Sequence, residues 1–224
     1  MEGASTRFGG DLRLIYGGTL HLSRTMTETE IQLQRPKRAD ARRNYDRLVA
    51  AARDVFTEDG TSASLERVAE RAGVGIGTLY RHFPTRQALL EAVYRDQVEA
   101  LRARADELLG SVPPAEALAL WLRDLLDFGR TKRMLTSALL TTLNKDSELM
   151  SSCSSMMRGA VTDVLARAQL AGAVRPDANP ADLMRLVHAI SLTTEWAAGD
   201  HEQADRLLAL VLDGLRSQPA DRPA

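Results

Sequence analysis

Residues 69–89 read AERAGVGIGTLYRHFPTRQAL, and this stretch decides the fold. A short helix that Ser64 can cap ends at Gly73, which can take the left-handed conformation that a tight turn needs. A second short helix begins at Gly75 or Ile76. Two short helices joined in this way predict a helix-turn-helix.

The second helix carries residue types that suit contact with a DNA duplex. Glycine at its start lets backbone N–H groups approach phosphate oxygens, and small or apolar side chains can meet base edges in the major groove. Hydroxyl and imidazole groups further along can donate to phosphates. The alternative interpretation is that the polar side chains are ordinary surface residues of a small bundle. The predicted DNA contacts on this helix are Gly75, Ile76, Thr78, Tyr80 and His82.

Amphipathic helices precede and follow the helix-turn-helix. Over residues 39–59 apolar residues recur at intervals of three and four, and Gly60 is a suitable helix stop. Thr85 can cap the next long helix, whose first turn contains Arg86. We therefore predict a three-helix head over residues 35–92, and we include Thr85 and Arg86 among the candidate DNA contacts.

Three motifs stand out in residues 51–93. They are F-x-x-x-G at residues 56–60, V-A-x-x-A-G-V at residues 68–74 and G-T-L-Y-R-H-F at residues 77–83. This pattern closely resembles the DNA-binding domain of the TetR/AcrR family of one-component transcriptional regulators. The resemblance implies an all-α protein with a three-helix helix-turn-helix head, a larger helical domain for ligand binding and dimerisation, and repression relieved by a small molecule.

The resemblance also assigns roles to residues. By position, the DNA-contacting residues of the family match Thr78, Tyr80 and His82. The family's basic N-terminal arm matches Arg42 or Arg43. One departure is the glycine at the start of the recognition helix, where the family often has a capping Ser or Thr.

A second departure lies at the start of the following helix. There the family often has a lysine that contacts phosphate, and this chain has the variant Pro84-Thr85-Arg86. The sequence leaves open which of Thr85 and Arg86 touches DNA.

Charge and composition agree with a chain of two parts that meet different partners. From Arg35 to Arg95 there are 12 Lys and Arg against 8 Asp and Glu, whereas the whole chain carries a formal charge of −1. A basic N-terminal part is typical of nucleic-acid binding. The single cysteine, Cys153, allows no intrachain disulfide, and no apolar run is long enough to span a membrane. We expect a cytoplasmic protein without membrane contact.

No catalytic or metal-binding motif is present. The chain lacks G-x-S-x-G, G-x-x-x-x-G-K and H-E-x-x-H, and its histidines are better explained as packed or solvated side chains. We therefore expect no enzymatic activity, no cofactor and no metal.

Residues 93–218 are predicted to form the helical effector-binding and dimerisation domain. One helix opens at residues 113–114 and is predicted to break near Gly129. Flexible and aromatic side chains of the middle helices can line an apolar cavity for a small-molecule effector. The predicted pocket residues are Trp121, Leu125, Phe128, Met134, Leu139 and Met156.

The last two helices each carry an apolar stripe. In the TetR/AcrR family these helices usually pair across a two-fold axis, so the resemblance implies a homodimer. Residues 1–34 are predicted to be disordered or not to belong to the native protein, and residues 219–224 to form a disordered tail. The predicted interface residues are Leu183, Leu186, Val187, Ile190, Leu207, Leu208, Val211 and Leu215.

These features predict a sequence-specific transcriptional regulator. With the resemblance, we expect a repressor that a small apolar effector releases from a palindromic, double-stranded DNA operator. A dimer reads two half-sites together, which makes a short recognition helix specific. An effector-independent DNA-binding protein is the alternative.

Overall fold

The computed structural model describes residues 39–60, 62–140, 148–193 and 201–217, and of residues 130–140 and 201 it describes only the backbone. The described residues form eight α-helices and no β-strand, which confirms the predicted all-α fold. None of these helices is long and apolar enough to cross a lipid bilayer. The predictions for residues 1–34 and 219–224 lie outside the described residues. The helices are α1 (Ala39–Asp59), α2 (Leu65–Arg71), α3 (Ile76–His82), α4 (Arg86–Ser111), α5 (Pro114–Leu140), α6 (Glu148–Leu170), α7 (Pro180–Thr193) and α8 (His201–Leu215).

Helices α1 to α3 enclose the apolar core of the head. The stripe predicted on α1 is buried, with Leu48 fully enclosed, and the helix ends at Asp59 as predicted. Leu79 of α3 and Phe83 just after it close the core from the other side. The Phe83 ring packs on Tyr45 of α1, with the ring centroids 5.0 Å apart.

The helix-turn-helix forms with the caps that the sequence predicts. The Ser64 hydroxyl accepts a hydrogen bond from the Arg67 amide at 3.2 Å and so caps α2. The Thr85 hydroxyl does the same for α4 with the Ala88 amide at 3.1 Å. In the turn before α3, Gly73 has a φ of +63°, which is the predicted left-handed conformation.

Helix α4 belongs to both parts of the chain. It runs from Arg86 to Ser111 without interruption, so the boundary predicted between residues 92 and 93 falls inside it. Helix α4 packs on α1 in the head and on α5 and α6 in the rest of the chain, which we call the body (residues 93–218). A displacement of α4 therefore reaches the head and the body together.

Two aromatic contacts hold α4 against α5. The buried Trp121 donates from its indole Nε1 to the Leu101 carbonyl at 3.0 Å. Nearer the head, the Tyr94 and Phe128 rings lie 6.0 Å apart between centroids. Because residue numbers rise along α4 as they fall along α5, the two helices are antiparallel.

Helix α5 does not break at Gly129, so that prediction is wrong. The helix is continuous from Pro114 to Leu140, and Gly129 lies where α5 packs on α7. A Cβ at Gly129 would lie 2.9 Å from both Cβ and Oγ of Ser191, a buried residue of α7. The glycine therefore permits close packing of two helices rather than ending one of them.

Replacing Gly129 with alanine should lower the free energy of unfolding by ~1–2 kcal/mol, because overpacking outweighs alanine's gain of about 1 kcal/mol in helix propensity. The added methyl would meet Cβ of Ser191, which can move only if α7 moves. Urea denaturation followed by circular dichroism measures the change. Gly110→Ala is the control, because a Cβ at Gly110 meets nothing within 4 Å and the substitution should stabilise. If Gly129→Ala were as stable as Gly110→Ala, the close approach would carry no energetic weight.

The chain beyond α8 pairs with the loop between α6 and α7. The Arg175 amide donates to the Leu215 carbonyl at 2.9 Å, and Val174 and Arg216 form an isolated antiparallel bridge. The side-chain amide of Gln169 donates to three carbonyls of the same loop. These bonds tie the C-terminal end of α8 to the end of α6.

Candidate functional site

Helix α3 divides into a buried and an exposed face. Leu79 is fully buried in the head, and Phe83 immediately after the helix is nearly so. Ile76, Gly77 and Tyr80 are exposed, and the Tyr80 side chain retains 46% of its accessible surface. The apolar anchors therefore fix the helix in the head while an aromatic hydroxyl and a bare glycine face outward.

Side chains of α1 hold the helix-turn-helix in place. Arg47 donates from Nη2 to the Gly73 carbonyl at 3.3 Å, across the turn before α3. At the other end of α1, Glu58 accepts two hydrogen bonds from Arg71 of α2, at 2.6 and 2.8 Å. The hydrogen bonds from Arg71 hold the pKa of the Glu58 carboxyl below its usual range. The first contact fastens the turn to α1, and the second fastens α2 to α1.

His82 is half-buried at the end of α3. Its ring meets Tyr45 edge-on, with ring centroids 6.4 Å apart, and it also lies against Phe83. Burial, and then the charge of Arg81, lower the pKa of the His82 imidazole below its ordinary value. At neutral pH the ring is therefore uncharged, and it offers a hydrogen-bonding nitrogen rather than a cation.

The five residues predicted on and before α3 differ in exposure. Gly75 precedes the helix as its N-cap without a side-chain hydrogen bond, which agrees with the weaker cap expected from the sequence. Ile76 and Tyr80 are exposed, and Thr78 and His82 are partly buried on the other flank of Leu79. Their contact with DNA stays a prediction.

The structure gives local positions for the three arginines predicted to contact DNA. Arg86 donates from Nη1 to the Ala63 carbonyl at 2.7 Å, which fastens the first turn of α4 to the loop between α1 and α2. Arg42 and Arg43, expected in an N-terminal arm, lie in the first turns of α1, and Arg43 forms an ion pair with Asp40. Contact of these three residues with DNA stays a prediction.

The predicted effector residues are only partly described. Trp121, Leu125 and Phe128 are buried along the face of α5 that meets α4, and Met156 of α6 is partly buried against the same core. The side chains of the other two predicted pocket residues, Met134 and Leu139, lie outside the described residues. A lining role for these residues stays a prediction.

The residues predicted to form the dimer interface differ in how deeply they are buried. Leu186 is half-exposed, and Leu207 and Val211 are partly buried. The others are buried inside a single protomer, which leaves them little surface for a second copy, and their assignment to the dimer interface stays an untested prediction. Those core residues are Leu183, Val187, Ile190, Leu208 and Leu215.

The sequence interpretation missed residues whose roles depend on neighbours far along the chain. Arg47, Ser191 and Gln97 are examples: the first fastens the turn, the second packs on a glycine and the third carries a buried side-chain oxygen. Only for Gln97 did the sequence hold a signal, because this polar residue falls on the apolar stripe of α4 that includes Tyr94 and Leu101.

An all-helical chain whose helix-turn-helix exposes a polar second helix defines a class, the helix-turn-helix transcriptional regulators. Residues 48–93 match the bacterial regulatory proteins of the tetR family, and residues 113–217 match the C-terminal domain of SbtR-like transcriptional regulators. Similar relatives include an HTH-type transcriptional regulator of Staphylococcus aureus, 32% identical over 50% of this chain and 57% of that protein. Another is UidR of Escherichia coli, 35% identical over 30% of this chain and 35% of that protein. The chain thus spans only about a third to a half of the length of these relatives.

Solved structures extend the similarity to the body. A TetR transcriptional regulator from Streptomyces coelicolor is 40% identical, with a TM-score of 0.71 over 78% of this chain and 99% of that one. A TetR regulatory protein from Mycobacterium vanbaalenii is 34% identical, with a TM-score of 0.67 over 81% of this chain and 99% of that one. The chain belongs to the TetR family of bacterial transcriptional regulators.

Proposed function

We propose that the protein is a homodimeric repressor that binds an inverted-repeat operator through α3 and leaves it when a small, mainly apolar effector binds the body. The observation that carries the proposal is the exposed face of α3, held rigidly by buried anchors. Ile76 and Thr78 would meet base edges, while Tyr80 and His82 would donate to phosphates. A dimer would hold two such helices at the spacing of successive major grooves.

Two glycines of the recognition region support close approach of a DNA backbone. Gly75 and Gly77 are exposed, and a Cβ at either position would meet nothing of the protein within 4 Å. Neither has a positive φ, so the fold itself does not require glycine there. Glycine within a helix costs about 1 kcal/mol relative to alanine. A partner that approaches the backbone at this point is the explanation we propose for retaining it.

The connection between head and body supports release by an effector. Helix α4 continues from the head into the body, and Arg86 bonds its first turn to the Ala63 carbonyl. Further along α4, within the body, Trp121 and Phe128 pack α5 onto α4. An effector that separates α4 from α5 would move the head of one protomer relative to the other and lower operator affinity.

We propose that the exposed stripe of α8, rather than its buried leucines, makes most of the dimer contact. Leu210 retains 68% of its accessible surface in the single protomer, and Leu207 and Gly214 lie three and four residues from it on the same face. Leu186 of the adjacent α7 remains 49% exposed. Pairing of α7 and α8 with a second copy would cover these apolar surfaces.

Gly77→Ala separates DNA contact from folding. The variant should keep or slightly raise its melting temperature, because alanine favours a helix, yet bind operator about tenfold more weakly, because the methyl holds the DNA backbone away. Gel shifts at fixed salt, with the DNA immediately upstream of the protein's own gene, measure the affinity. Gly110→Ala makes the same change at an open position of α4 and should leave operator binding unaltered.

Specific binding is judged by competition. A shifted band that survives excess unrelated DNA, over an inverted repeat, supports the proposed repressor. Binding that any competitor removes equally at moderate salt would contradict it, because that behaviour reflects phosphate attraction alone. Unchanged affinity of Gly77→Ala would reject the close approach at this turn.

A further inference from the structure

The packing surface between α4 and α5 is buried and aromatic. Trp121 is fully buried, and Phe128 lies against Tyr94, which is itself almost fully enclosed. Burial is the main reason that the pKa of the Tyr94 phenol is raised above its ordinary value. Surroundings of this kind disfavour charged groups and make every unpaired polar atom costly.

Gln97 lies on the same face of α4 as two residues that contact α5. It lies on α4 between Tyr94 and Leu101, the two residues that face Phe128 and Trp121 on α5. Its Oε1 atom is buried, and within the described part of the chain it has no hydrogen-bond partner. Other polar groups on or near this face of α4 are paired: Trp121 Nε1 donates to the Leu101 carbonyl.

A second glutamine on α4 shows the usual arrangement. Gln87 Nε2 donates to Glu91 Oε1 at 2.9 Å, one turn further along the helix. Buried side-chain oxygens in proteins almost always have a partner, so an unpaired one calls for a specific explanation. Polar groups that lower stability and make no bond within the protein are typical of binding sites.

We propose that Gln97 Oε1 is the polar anchor of the effector site and that the effector is therefore an uncharged, mainly apolar molecule carrying one hydrogen-bond donor, a hydroxyl or an N–H. The inference rests on the proposed effector-responsive function and names its ligand class. The donor meets Gln97, while the apolar part of the molecule packs on Leu125 and Phe128. A molecule without the donor leaves Oε1 buried and unpaired, which is the basis of the selectivity.

The test uses two probes of identical composition, n-decanol and its isomer methyl nonyl ether. Both carry an oxygen acceptor and a similar alkyl chain, but only the alcohol has a donor. Titration calorimetry on the full chain should give an affinity for the alcohol about tenfold above that for the ether. In Gln97→Leu the two affinities should become equal.

The same variant has a readout that needs no ligand. Because leucine removes a buried unpaired oxygen, ligand-free Gln97→Leu should melt at a higher temperature than the wild type. Gln87→Leu is the matched control: it breaks the bond to Glu91, should not raise the melting temperature and should keep the preference for the alcohol. A purely structural Gln97 would behave as Gln87 does.

Several results would overturn the inference. They are equal binding of the two isomers by the wild type, preference for the ether, binding of neither, and a Gln97→Leu variant that is less stable than the wild type. Gel shifts with the wild type distinguish this failure from that of the proposed function, because competitor-resistant operator binding does not depend on Gln97. Alcohol-selective binding without release of DNA would retain the ligand class and reject the release mechanism.

Discussion

Leu210→Glu is expected to weaken dimerisation by at least ~100-fold, or about 3 kcal/mol, and to abolish operator binding at concentrations where the wild type binds. Leu210 is 68% exposed in the single protomer, so the substitution leaves the packing within the protomer intact. In an isologous dimer each substitution appears twice, and both carboxylates would be buried in an apolar contact. Sedimentation velocity over a range of protein concentrations measures the dissociation constant.

Leu170→Glu is the matched control for this experiment. Leu170 is the last residue of α6 and is 86% exposed. The substitution therefore introduces the same charge at a more accessible leucine that lies outside α7 and α8. This variant should remain a dimer and bind operator as the wild type does. A dimeric Leu210→Glu beside a monomeric Leu170→Glu would move the interface to the end of α6.

Trp121→Ala should lower the free energy of unfolding by about 3–5 kcal/mol, the usual range for removing a large, fully buried aromatic side chain. Trp121 has no accessible surface, and its Nε1 also donates to the Leu101 carbonyl at 3.0 Å. The substitution leaves a void between α4 and α5 and removes that bond. Urea denaturation should be followed by circular dichroism, because Trp121 is one of only two tryptophans. The protein concentration is held fixed, because the proposed dimer would contribute to stability.

The neighbouring residue on α5 supplies the comparison. Leu120 is only partly buried, so Leu120→Ala should cost about 1 kcal/mol. Trp121→Phe keeps most of the apolar surface and removes the indole N–H, and it should fall between the two variants. Equal losses for Leu120→Ala and Trp121→Ala would contradict the central position of Trp121 in the body.

The head could be predicted closely because its signals are local. The α1 stripe, the Ser64 and Thr85 caps and the glycine turn at Gly73 act within a few residues of themselves, and the structure has each of them. Such features depend on hydrogen bonds and dihedral preferences that a short peptide already contains. The burial of Leu79 and Phe83 follows in the same way, because apolar residues four apart share one face of a helix.

The body was predicted less well because its signals are ambiguous without partners. A leucine stripe on α7 or α8 can face either the core of its own protomer or a second copy. In the structure Leu183 and Leu208 are buried in the protomer, whereas Leu210 is exposed. Glycine often ends a helix, but Gly129 lies inside α5 at a point of close packing against Ser191. Arg86 has the position of a phosphate contact but bonds to the Ala63 carbonyl, 23 residues earlier.

The sequence by itself determined the helical class of the chain and the limits of the helix-turn-helix, because periodicity, caps and glycine turns act over one or two helical turns. Only the tertiary structure decided which apolar residues are buried inside the protomer and which glycine admits a neighbouring helix. It also decided which glutamine oxygen, that of Gln97, is buried with no partner among the residues that the structure describes. The physical reason is that burial and hydrogen-bond satisfaction depend on side chains brought together from distant parts of the chain.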